Sequence, residues 1–159
     1  MTTTPTPEPR LAFLTRVVTK ESRHLLTTDR RLFDQPFTPE RAAQLESVPE
    51  LAERVEAFVG RFGRLQDTVG DELLPALLAV LGETPGAAID NLDRAERLGW
   101  LDSSDTWMAM RKLRNQMIHE YVEDPVVLAS ALATAHEYVQ TLVSVAERLA
   151  EETRSRGWA

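Results

Sequence analysis

The sequence predicts an all-α protein, an antiparallel bundle of about five main helices. Three observations predict it. Apolar residues recur at helical spacing through most of the chain, with no run of alternating β-branched residues bounded by turns. Helix start and stop signals, Thr38–Pro39, Gly99 and Asp124–Pro125, punctuate the periodic segments. The 159 residues suffice for one core but not two, and the connections are short enough for antiparallel neighbours.

Residues 1–8, rich in Thr and Pro, read as a disordered tail, and residues 9–155 as one helical domain. The first helix runs from about Pro9 to about Thr28, with Leu11, Leu14, Val18 and Ser22 on one face and Val17 and Leu25 flanking it. Residues 29–37 break that pattern. A short helix follows, capped by Thr38 with Pro39 at its first position. A long helix then starts near Pro49. Its apolar residues Leu51, Val55, Phe58, Phe62, Leu65 and Val69 are spaced 4, 3, 4, 3 and 4 apart, a heptad seam. Gly60, Gly63 and Gly70 lie inside it, each costing about 1 kcal/mol of helix propensity relative to Ala. They imply either close approach of a neighbouring helix or surplus core stability.

Pro75 is expected to kink or interrupt this helix before LLAVLG, and Gly82 with the following ETPG stretch to make a break. The next helix covers about Pro85 to Leu98, with Gly99 as its C-cap. Ser103, Ser104 and Asp105 offer caps for a helix over roughly 105–121. Asp124 and Pro125 start the last one, which runs to about Glu152.

Composition excludes several function classes. With no cysteine, the chain has no disulfide scaffold, zinc–thiolate site or cysteine nucleophile. Its three histidines, His24, His119 and His136, lack metal-helix spacing, so no metal or other cofactor is expected. The N-terminus lacks a signal-peptide pattern, and no run approaches the roughly 18 apolar residues of a membrane helix. A cytoplasmic protein without membrane contact is the expectation. A net charge of −7 argues against a broad nucleic-acid-coating surface and leaves room for a small basic site; RNA binding would be weak and steeply salt-dependent.

The basic site is the stretch TWMAMRKLRNQMIHEY, residues 106–121, where Arg111, Lys112 and Arg114 face one acid, Glu120. On a helix, Trp107, Met110, Leu113, Met117, Ile118 and Tyr121 share a broad apolar face, and Arg114 falls inside it. A guanidinium there must be paired or must face a polar cleft. Asp67, Asp71 and Glu72 are candidate partners. His119 follows Arg114 by five residues and points about 140° away. The two serve one phosphate only if the helix ends or unwinds near His119, or if two copies meet across a two-fold axis. Asn115 shares the face of His119 and can orient its imidazole or contact a substrate. Each of these residues also has a structural reading: a snorkelling Arg114, a packed His119, a core or interface Tyr121, a surface His24 and a His136 flanking the last helix.

Arg114, Asn115, His119 and Tyr121 fit the pattern R-x4-H-x-Y with Asn directly after the Arg. This resembles the signature of the HEPN superfamily, particularly its HepT-like toxins. The upstream stretches GRLQDTVGDELLPALL and NLDRAERLGWLDSSDTW are similar to the helices preceding that motif, and the resemblance covers roughly residues 48–150. It implies a helical bundle that dimerises with the motif helices lining one cleft, and a metal-independent endoribonuclease acting as a toxin. Within it, His119 would be the general acid/base near the ribose 2′-OH, Arg114 would hold the scissile phosphate, and Asn115 would position one of them. Arg111 and Lys112 would support RNA binding. Tyr121 resembles the residue to which a nucleotidyltransferase antitoxin adds AMP, placing bulk and negative charge beside Arg114. The same resemblance admits a non-catalytic binding or regulatory subunit of a nucleotidyltransferase. A plain helical dimer without phosphate chemistry is the third reading.

Overall fold

The computed structural model describes residues 8–120 and 123–159. The helices are α1 (Pro9–Leu32), α2 (Pro39–Ala43), α3 (Pro49–Asp67), α4 (Leu74–Val80), α5 (Ala88–Arg97), α6 (Ser104–Glu120) and α7 (Pro125–Ser155), and no strand occurs among the described residues. Four of them form the bundle, each packed on the next around a ring: α1 on α3, α3 on α6, α6 on α7 and α7 on α1. Cross-helix pairs fix the directions. Thr28 meets Arg61 and Glu21 meets Thr68, so α1 and α3 are antiparallel. Asp29 meets His136 and Thr19 meets Arg154, so α1 and α7 are too. The all-α antiparallel bundle is therefore observed.

The heptad seam of α3 is the centre of the core: Leu51, Val55, Phe58, Phe62, Leu65 and Val69 are all buried. A rod at 3.5-residue spacing presents these side chains along one line, where α1 and α6 close over them.

Several boundaries differ from expectation, each for a local reason. α1 does not break at residue 29 but continues to Leu32. Asp29 is buried within it, its carboxylate 2.7 Å from His136 Nδ1, and Leu32 adds another core residue. Pro75 does not interrupt the chain. Thr68–Leu73 widen into a π-helical turn, so the missing Pro75 N–H and its ring are accommodated and α3, the π turn and α4 form one rod. α5 starts at Ala88 rather than Pro85 because the buried Asn91 side chain takes the place of backbone partners: it accepts from the Gly86 N–H at 2.8 Å and donates to the Gly86 carbonyl at 3.2 Å. Gly99 ends α5 at φ +79°, and the Trp100 N–H reaches back to the Ala95 carbonyl at 2.9 Å, a Schellman closure that needs a left-handed residue.

Capping follows the sequence closely. Thr38 accepts from the Arg41 N–H at 3.2 Å, Ser103 from the Thr106 N–H at 3.1 Å, and Asp124 from the Val126 N–H at 3.0 Å. The ordered body extends past residue 155: Trp158 packs against the core and its carbonyl accepts from the Glu8 N–H at 3.1 Å. α7 also corrects the reading of apolar runs. By length and composition alone it is long and apolar enough to cross a membrane. Its apolar face, including Leu132, Val139, Leu142 and Leu149, lies in the bundle core.

Candidate functional site

The motif helix α6 lies antiparallel to α3 in a register set by two glycines. A methyl group on Gly70 would sit 3.0 Å from the Trp107 ring, and one on Gly63 would sit 2.7 Å from Arg114 Nε. Both pairs are seven residues apart, 70 to 63 along the rod formed by α3 and its π turn and 107 to 114 on α6, so one heptad of contact brings Arg114 across the bare backbone of Gly63. Close approach of a neighbouring helix thus accounts for Gly63 and Gly70. Gly60 has open space above it.

That open space belongs to a groove of about 460 Å³ between α3 and the C-terminal half of α6. Val59, Gly60, Met117 and Ile118 form its apolar walls, and Arg114, Asp67, Arg64 and Glu56 supply its charge. Arg114 Nη1 donates to Asp67 Oδ1 at 2.5 Å. Of the three acids named as partners, register selects Asp67. Arg114 is thus both paired and open to a cleft, with a quarter of its side chain exposed (26%).

The apolar face of α6 is narrower than expected. Trp107, Met110, Leu113 and Met117 are buried, but Ile118 is 51% exposed, because the groove beside Gly60 leaves nothing to cover it. Around the helix, Arg114, Ile118, Asn115 and His119 follow one another over about 140°. Asn115, His119 and Lys112 are exposed and Arg111 is half-buried. α6 stays regular through His119, so the imidazole does not line the groove and the single chain does not bring it together with Arg114. His119 makes no hydrogen bond or ion pair among the described residues. Tyr121 lies outside the described residues.

The other histidines are accounted for separately. His136 pairs with Asp29 and stacks on Phe33 with ring centroids 4.3 Å apart, while His24 is exposed on α1. No three His, Asp or Glu side chains converge on a metal position among the described residues. Sequence reasoning named Arg114 and its acid but missed the cradle. Gly60 and Gly63, three apart on the face of α3 that meets the motif helix, were the available signal.

No family model, curated protein or solved structure matches this chain.

Proposed function

We propose that the protein is a metal-independent endoribonuclease of the HepT-like kind, the toxin of a toxin–antitoxin pair, working in a cleft formed when two copies pair their motif helices. The observation that carries the reading is Arg114 at the open α3–α6 groove, with His119 exposed further round the same helix. A second copy supplies the geometry that one helix denies, because an imidazole from one protomer can face the guanidinium of the other. In that cleft the imidazole takes the proton of the ribose 2′-OH as the oxygen attacks phosphorus. The guanidinium stabilises the charge on the phosphoryl oxygens, and the 5′ oxygen leaves with a proton. The products carry a 2′,3′-cyclic phosphate and a 5′-OH, so no external water enters the step. Asn115, on the His119 face, orients the ring, and Arg111 and Lys112 hold flanking phosphates.

The test is RNA cleavage by the full chain in EDTA. Wild type is expected to release cyclic-phosphate ends, and Arg114→Ala and His119→Ala each to lose about 100-fold or more. Equal cleavage by all three, or none by wild type, overturns the reading.

The Arg114–Asp67 pair favours a second reading, in which the motif is kept for structure and the chain is a non-catalytic subunit partnered with a nucleotidyltransferase that modifies Tyr121. A stable hetero-complex that lacks nuclease activity with or without the partner would select it.

A further inference from the structure

The charge of this acidic chain is unevenly distributed. α1 holds Arg10, Arg16, Lys20, Arg23, Arg30 and Arg31, six of the 18 Lys and Arg, but only two of the 25 Asp and Glu, Glu21 and Asp29. Neither acid offsets the outer face. Asp29 is buried against His136. Glu21 turns toward α3, where the Thr68 hydroxyl donates to it at 3.2 Å, and burial pushes its carboxyl up from the usual range. The outward stripe of α1 therefore reads Phe13, Arg16, Lys20 and Arg23, spaced 3, 4 and 3 apart along one helix face.

The stripe lines a groove of about 470 Å³ between α1 and α7, joined by Val17, Thr19 and Arg154, with no carboxylate in the lining. Arg154 Nη2 donates to Thr19 Oγ1 at 3.2 Å, which directs the guanidinium of α7 toward α1; its nearest acid is Glu151 at 4.0 Å. Arg16, Lys20 and Arg23 make no ion pair among the described residues. Phe13 stands at the end of the stripe with 53% of its surface exposed. Three free cations along about 10 Å of helix, beside an exposed ring and a recess, match a polyanion that carries flat apolar groups.

We propose that this α1–α7 groove binds single-stranded nucleic acid, with backbone phosphates on Arg16, Lys20, Arg23 and Arg154 and a base stacked on Phe13. A membrane surface fits less well. Binding in the bilayer interface calls for a broad apolar face, and this groove offers one exposed aromatic ring and a half-buried Val17. The site is on the α1–α7 side of the bundle, apart from the α3–α6 groove, and does not rest on the nuclease reading.

Fluorescence anisotropy of the full chain with a short labelled oligothymidylate tests it. That probe lacks a 2′-OH, so cleavage cannot intervene and the outcome is independent of the cleavage assay. Arg16→Gln/Lys20→Gln/Arg23→Gln is expected to weaken binding at least tenfold and to reduce the slope of log affinity against log salt by about 2. Phe13→Ala is expected to weaken it about fivefold with the slope unchanged. A charge-matched control, Arg54→Gln/Arg97→Gln/Arg148→Gln, is expected to bind as wild type, and circular dichroism checks that every variant is folded. Equal loss in the control, no loss in the stripe variants, or binding through these residues to phosphatidylserine vesicles but not to oligothymidylate would overturn the proposal.

Discussion

The Asp67 carboxylate lies 2.5 Å from the Arg114 guanidinium, and the two side chains close one end of the groove between α3 and α6. Both are partly exposed, 41% and 26%, so water screens the pair and its contribution to stability is small. Its weight falls on ligand binding. Asp67 occupies the donors that a phosphate would use and adds negative charge where a phosphate would arrive. If the groove takes RNA phosphate as proposed, Asp67→Asn is expected to change the melting temperature by only a few degrees while tightening RNA binding roughly fivefold, as removal of about 1 kcal/mol of repulsion would. Titration of a non-cleavable RNA into wild type and variant measures this, and weaker binding by Asp67→Asn would mean that the carboxylate holds Arg114 in its working position instead.

Gly60 and Gly63 separate helix propensity from the cradle. Ala at Gly60 meets open space, so it is expected to stabilise the helix by about 0.5–1 kcal/mol, a rise of roughly 1–4 °C in Tm. Ala at Gly63 gains the same propensity but places its methyl 2.7 Å from Arg114 Nε, so the guanidinium must leave its present course. Gly63→Ala is expected to hold Tm within about 3 °C of wild type and, where Arg114 acts on phosphate, to lose activity much as Arg114→Ala does. Thermal melts beside cleavage assays of both variants check the pair. Full activity in Gly63→Ala would show that Arg114 works from a different position.

Core burial was legible because it follows a period that a single helix imposes on itself. The seam from Leu51 to Val69 and the caps at Thr38, Ser103 and Asp124 needed no knowledge of the rest of the chain. What escaped depended on register between helices. Asp29 and His136 are 107 residues apart and meet only because α1 and α7 run antiparallel, so Asp29 read as a loop acid. Ile118 read as core by period and is exposed because Gly60 opposite offers no side chain. Asp67 stood among three acids that sequence spacing could not rank, and the Gly70–Trp107 contact ranks them by fixing how α3 and α6 slide. Arg16, Lys20 and Arg23 share a period with the core residues of α1, and their freedom from acids became visible only once Glu21 and Asp29 were seen to turn inward.

The Asp29–His136 pair makes its own prediction. The Asp29 side chain is 9% exposed and the imidazole is its partner. His136→Ala leaves that carboxylate without the bond and is expected to cost about 1–3 kcal/mol. His136→Phe keeps an aromatic ring against Phe33 but not the nitrogen, so a similar loss in this variant assigns the effect to the hydrogen bond rather than to ring stacking. Chemical denaturation of both variants decides it; a His136→Phe protein as stable as wild type would give the weight to the ring contact.

Glu21 makes stability depend on pH with a definite sign. Burial raises its carboxyl above the ordinary value of 4.5, opposed by the Thr68 hydroxyl and Arg64. One of its oxygens, Oε2, is buried without a hydrogen-bond partner among the described residues. A carboxyl whose pKa is higher folded than unfolded keeps its proton longer in the native state, so the folded chain binds more protons between the two values. Through that window stability falls as pH rises, and above it the penalty of the buried charge is present in full. Glu21→Gln removes the charge at every pH. It is expected to be more stable than wild type at pH 7, with the advantage shrinking as the pH falls through the raised value and gone below about pH 4, where Glu21 is protonated in both states. Urea denaturation at pH 4 and pH 7 measures the difference. An advantage that does not depend on pH would trace to packing of the amide, and a loss at pH 7 would show that attraction to Arg64 outweighs burial.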